Sequence, residues 1–198
     1  MRTASDTGCA EGAQMREFCR GFTFGRCQTD HGYDIIKNNG TEREVQRAMP
    51  ATYAHHRFGE RLLPCLQEPF RTAAEQNRSL YDVGQHGPDF LFYYQPLKQN
   101  PISGLGYAAH TQSGRTFFAQ AAAAVRTAAD RQAALAYAAG LLCHFALDSL
   151  CHSYVEKKMQ QSGREHTEIE GEFERYLLEQ DGLHPQRQVL TAHIRPTP

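Results

Sequence analysis

The chain has 198 residues, a formal charge of −1 and 40% hydrophobic residues. That is enough apolar material for one globular domain with a core. The balanced charge gives no specific nucleic-acid binding signal and no pull towards an anionic membrane surface.

Six cysteines are present (Cys9, Cys19, Cys27, Cys65, Cys143, Cys151), but the first 25 residues hold no seven-residue apolar run. With no secretory signal visible, the expectation is a cytoplasmic protein with reduced thiols. Cys143 and Cys151 read as small core residues rather than metal ligands, because free cysteine is among the most buried residue types.

Residues 1–48 contain no leucine, whereas residues 49–198 contain sixteen. The first segment is rich in Gly, Thr and Arg and has no apolar period, so it reads as a disordered or non-native N-terminal extension, with Met49 as the expected start. The remainder, 49–198, reads as one all-α domain, a compact multi-helix bundle. A helix runs from an N-cap at Thr52 to about Leu63 and is broken by Pro64. A second spans Pro69 to Leu80. Gly84 to Asp89 is a loop, and Phe90 to Tyr94 is a short aromatic helical turn. A long helix covers Tyr107 to Arg126, the central helix covers about Asp130 to Met159, and the last covers Glu165 to Gln180. No alternating strand pattern of useful length occurs.

The central helix carries the chemistry. Ala133 to Cys151 is almost wholly apolar, yet His144, Asp148 and His152 follow one another at four-residue steps. At about 100° per residue, successive members are offset by about 40°, so all three project from one stripe. A carboxylate in such a helix is costly unless paired or bound to metal. It also argues against a membrane span, where a central aspartate costs about 2.5–3.5 kcal/mol, so no transmembrane segment is expected. His166 and Glu170 repeat the one-turn spacing on the next helix. Imidazole nitrogen and carboxylate oxygen are what zinc accepts. A lone pair of this spacing is usually a surface contact or a satisfied core histidine; two pairs with His152 between them favour metal.

Five stretches together resemble the zinc-dependent phospholipase C family: MPATYAHHRFGERL (49–62), GQHGPDFLFYY (84–94), GYAAH (106–110), HFALDSLCHSYV (144–155) and REHTEIEGEFERYLL (164–178). The resemblance implies an all-helical fold whose cleft holds three zinc ions and whose members hydrolyse phospholipid phosphodiesters. By that pattern Asp89, His110, His144 and Asp148 would surround one zinc. His152, His166 and Glu170 would hold a second, with Asp89 bridging, and His55 with Asp148 would contribute to a third. In secreted members the third zinc also takes the mature amino terminus, normally a tryptophan. This chain has no tryptophan, and Pro50 would present that terminus if Met49 is the start and is removed. Four residues separate Asp148 from His152, where the secreted enzymes have six. His56 reads as a surface histidine and His86 as an exposed loop histidine, while His31, His184 and His193 match nothing.

The cofactor expected is therefore two to three zinc ions, and the activity a phosphodiester hydrolysis with Asp89 as the catalytic residue that orients, or takes a proton from, the attacking water. Phe90, Phe92, Tyr93 and Tyr94 read first as core and second as cleft lining. Two rival readings stand beside the lipid substrate. One is a phosphoesterase for nucleotides or other soluble diesters, and the other is a non-catalytic helical protein stapled by zinc. Oligomeric state is not legible.

Overall fold

A computed structural model describes residues 52–96 and 98–195. The N-terminal extension, the start at Met49, the terminus at Pro50 and His31 lie outside the described residues. Within them the chain forms seven α-helices and three 3-10 turns, and no strand. The helices are α1 (Thr52–Leu62), α2 (Phe70–Gln76), α3 (Arg78–Gly84), α4 (Pro101–Thr111), α5 (Gly114–Thr127), α6 (Arg131–Ser162) and α7 (His166–Gln180). The 3-10 turns cover Leu63–Cys65, Gly87–Tyr93 and Pro185–Arg187. The all-α expectation holds.

The axis of the bundle is α6, which at 32 residues is about 48 Å long. Asp130 caps its start, its carboxylate accepting from Ala133 N at 2.9 Å. It stops at Gly163, which takes φ 67° and donates its N–H to Met159 O at 2.9 Å, a left-handed ending that glycine adopts without strain. The helix is long and apolar enough to cross a membrane. Here, however, α1, α2, α3, α5 and α7 pack on it, and it buries Leu135, Ala136, Ala139, Leu141, Cys143 and Leu147. It is the core helix of the bundle.

The approach of α3 to α6 depends on two missing methyl groups. A Cβ on Gly84 would lie 2.3 Å from Tyr137 O, and one on Gly140 would lie 2.2 Å from Tyr81 O. The two backbones therefore meet directly. Fully buried Tyr81 then ties α3 to α1, its hydroxyl donating to Gly59 O at 2.7 Å.

Two expected helices are each divided. The stretch 69–80 breaks at Asn77, which leaves helical geometry (φ −123°, ψ 54°) and turns its amide back to Ala73 O at 3.2 Å. Asparagine side chains compete with the helix ladder in this way. The stretch 107–126 breaks at Gln112 and Ser113, both extended; Ser113 caps α5 by accepting from Thr116 N. The upstream half starts earlier than expected, because Asn100 accepts from Ile102 N and Ser103 N while Ser103 answers the Asn100 N–H. That reciprocal capping fixes a helix start at Pro101.

Candidate metal centre

Five elements deliver the site. The 3-10 turn Gly87–Tyr93 presents Asp89, held in place by Gly87 at φ 49°. A Cβ on Gly87 would strike the His144 ring at 2.5 Å, so the turn lies directly on the histidine it serves. The middle of α6 presents His144, Asp148 and His152. The helices α1, α4 and α7 bring His55, His110, and His166 with Glu170.

All eight residues named from the sequence converge. They form three ligand sets, His55/His144/Asp148, Asp89/His110/His144 and His152/His166/Glu170, each with donor atoms within 4.8 Å of one another. Asp148 Oδ2 is 3.0 Å from His144 Nε2, while Oδ1 is 3.4 Å from His55 Nε2 and 3.8 Å from His152 Nε2. Asp89 Oδ1 is 3.1 Å from His110 Nε2 and 3.9 Å from His144 Nε2. His166 Nε2 meets Glu170 Oε1 at 2.7 Å. Asp89 groups with His110 and His144, and Asp148 reaches towards His152 of the third set. Asp148 sits on the helix between them, whereas Asp89 enters from the α4 side.

The donor chemistry fits zinc. His144 Nδ1 lies 3.2 Å from Gln85 O, and His110 Nδ1 lies 2.8 Å from Gly106 O. A ring that spends its Nδ1–H on a carbonyl presents a lone pair at Nε2. Two such lone pairs face the Asp89 carboxylate, and only a proton or a cation between them relieves the repulsion. His144 Nε2 is buried without a well-directed hydrogen-bond partner, as is His55 Nδ1. Two donors bonded at about 2.0–2.2 Å to a tetrahedral zinc stand roughly 3.3 Å apart, and the contacts above bracket that spacing.

The electrostatics agree. Burial, then the stacked His144 ring at 4.3 Å, push His55 down to about 4. For His110, burial lowers the pKa but the hydrogen bond and charge of Asp89 raise it, to about 8. His144 is raised in the same way: burial opposes its charge and Asp148 outweighs burial. Burial also opposes the Asp148 charge, yet His144 and the surrounding imidazoles hold its carboxyl well below the usual range. The hydrogen bond to Glu170 raises His166 against burial.

Several neighbours differ from expectation. Cys143 is core as expected: 2% exposed, against Tyr81 OH at 3.4 Å, its thiol pushed by burial up to about 11. Cys151 packs against the same core. Phe92 packs its ring on Tyr107 and His110, but Tyr93 and Tyr94 are 39% and 53% exposed, so the core reading of that run fails for the tyrosines. They follow the turn as it leaves the bundle. His56 is not a surface residue; it is half-buried and bonded through Nδ1 to Gln85 Oε1 at 3.0 Å. His86 is not exposed either, being 4% accessible with Nε2 2.7 Å from His193 Nε2. Both departures arise because α3 and the C-terminal segment cover the far side of α1. His184 is exposed and caps the last 3-10 turn through Gln186 N. Glu174 went unread: from α7 it accepts the Tyr53 N–H at 2.5 Å, closing the first turn of α1. No local signal marks it, since its partner is 121 residues away.

A family model described as zinc dependent phospholipase C matches residues 54–196, a span that contains all eight ligand candidates. No curated protein and no solved structure matches the chain significantly. The helical fold, the converging imidazoles and carboxylates, and the extent of that match agree, and the chain belongs to the zinc-dependent phospholipase C family.

Proposed function

We propose that this protein hydrolyses a phosphodiester, of the phospholipid kind that its family implies, at a multinuclear zinc cluster. The observation that carries the reading is the sharing of one carboxylate: Asp148 Oδ2 faces His144, while its Oδ1 lies between His55 and His152 of the third set. A structural staple closes one shell of four ligands; shared ligands hold ions side by side, the arrangement suited to phosphate. Bound zinc supplies a lowered water pKa and charge neutralisation at the phosphate and leaving-group oxygens.

The chain's own residues do the remaining work. His55, His110, His144, Asp148, His152, His166 and Glu170 hold the ions. Asp89, on a turn rather than a long helix and 5% exposed, both completes the Asp89/His110/His144 set and orients the attacking water or accepts its proton. Tyr93 and Tyr94, exposed four and five residues further on, offer aromatic faces to a cationic head group or acyl chain.

The test compares the wild type with Asp89→Asn on one chromogenic phosphodiester, beside a zinc-only blank. The expected result is retained helicity, retained metal on His152, His166 and Glu170, and a rate lowered by about 10²–10⁴-fold. A wild type no faster than the blank favours the stapled-protein reading. Equal wild-type and mutant rates end the assignment of Asp89. Presenting the same diester in a soluble molecule and in a phospholipid micelle separates the soluble substrate from the lipid one.

A further inference from the structure

A second histidine cluster lies on the other side of Gln85 from the site described above. His86 Nε2 and His193 Nε2 face one another at 2.7 Å. The His56 ring stacks on His193 with centroids 3.8 Å apart and planes 10° from parallel. His56 donates Nδ1–H to Gln85 Oε1, which leaves its Nε2 with a lone pair. His193 also bonds to the Leu190 backbone, leaving its own Nε2 to the partner ring. Glu60 and Asp82 group with His56, their donor atoms within 4.8 Å, but Arg78 binds both carboxylates. The cluster is thus a set of imidazoles beside an already neutralised acidic pair.

From these contacts we infer that His86 and His193, with His56 beside them, form an additional binding site for a borderline divalent cation such as zinc, one that fastens the C-terminal segment to α1 and to the turn leading to Asp89. The two Nε2 atoms face one another at a buried position, His86 being 4% accessible, so a cation between them would meet two ring nitrogens as ligands. One proton now joins the two Nε2 atoms. A cation in its place, at about 2.0–2.1 Å from each nitrogen, needs them roughly half an ångström further apart. His193 can supply that movement: it lies beyond α7 on a terminal segment, whereas His86 is fixed at the end of α3. The ligands donate lone pairs, and the shared proton passes from His86 Nε2 to His86 Nδ1, so both rings stay neutral; no redox step is involved.

The experiment counts zinc. Full-length wild type and His193→Ala are saturated with zinc, desalted and assayed by mass spectrometry for metal per chain, with far-UV circular dichroism as the folding control. His193 is in none of the three ligand sets of the main site. The expected result is a loss of one equivalent in His193→Ala with an unchanged helical spectrum. Should His193→Ala lose its helical signal, the bulkier His193→Gln takes its place in the same count. Equal metal content in wild type and variant overturns the inference and leaves His86 and His193 as a hydrogen-bonded pair. Loss of more than one equivalent also overturns it, since the histidine would then serve the main site.

Discussion

His144 and His56 are oriented by opposite ends of one residue: the backbone carbonyl of Gln85 receives His144 Nδ1 at 3.2 Å, and its side-chain oxygen receives His56 Nδ1 at 3.0 Å. Gln85 is fully buried and sits at the end of α3, where that helix is pressed against α6. A backbone acceptor survives mutation and a side-chain acceptor does not, so the two roles are separable. Gln85→Ala is expected to lower stability by about 0.5–1.5 kcal/mol, the loss of its hydrogen bond to the half-buried His56, and to retain the zinc bound by His144. Thermal melting and metal analysis of the same sample check both halves; loss of the His144 zinc would show that the side chain, not the carbonyl, orients that ring.

Asp148→Asn should empty much of the site. Asp148 contacts His55, His144 and His152, and an amide of the same shape supplies no charge against two cations in an apolar helix. Zinc per chain should fall, and with it the melting temperature of the zinc-loaded form, because ligand bound to the native state stabilises it. Unchanged zinc content and melting temperature in the variant refute the ligand assignment.

Zinc affinity should rise with pH. His110 is raised to about 8, and His144 and His166 are raised as well. A raised pKa means the metal-free site holds protons that zinc must displace, so binding is weakest below pH 7 and strengthens as pH climbs through about 8. The same groups stabilise the metal-free fold at low pH and lose that contribution as pH rises past their folded values. Calorimetry in buffers of different ionisation heat measures the released protons. Zinc affinity that stays flat from pH 6 to 9 would contradict the charge arrangement.

Gly140→Ala tests the seam between α3 and α6. The added methyl meets Tyr81 O at 2.2 Å and Gln85 N at 2.7 Å, and backbone atoms cannot rotate away as a side chain does. A destabilisation of about 1–3 kcal/mol is expected, accompanied by weakened zinc binding as α3 and the following Asp89 turn are pushed off α6. Gly171→Ala is the control, because a Cβ there meets nothing within 4 Å. Equal melting temperatures for the two variants would show that the helices can part freely.

The helices α1, α6 and α7 were legible because each has a start signal, an apolar stripe and a breaker within its own sequence. The breaks at Asn77 and at Gln112–Ser113 were not, since a continuous apolar pattern conceals a short interruption. The candidates His144, Asp148, His152, His166 and Glu170 could be read because four-residue spacing fixes their geometry on a helix, whereas His55, Asp89 and His110 carry no such spacing and were named only through the family resemblance. His86 and His193 escaped notice for the opposite reason: they are 107 residues apart, and nothing local to either one indicates the other. The same argument misplaced His56. A helical wheel shows that it points away from His55, but not that a second set of elements waits on that side.

In the proposed zinc cluster, the division of Asp148 between its neighbours would govern how the site fills. One oxygen faces His144, and the other lies between His55 and His152. Both turn together about the same torsion, so an ion captured beside His144 also sets the angle at which the second oxygen meets the next ion. Occupancy at one position would then prepare its neighbour, while each added positive charge would repel the next. Where the shared carboxylate outweighs that repulsion, the protein passes from empty to loaded over a narrow span of free zinc, with few chains caught half-filled.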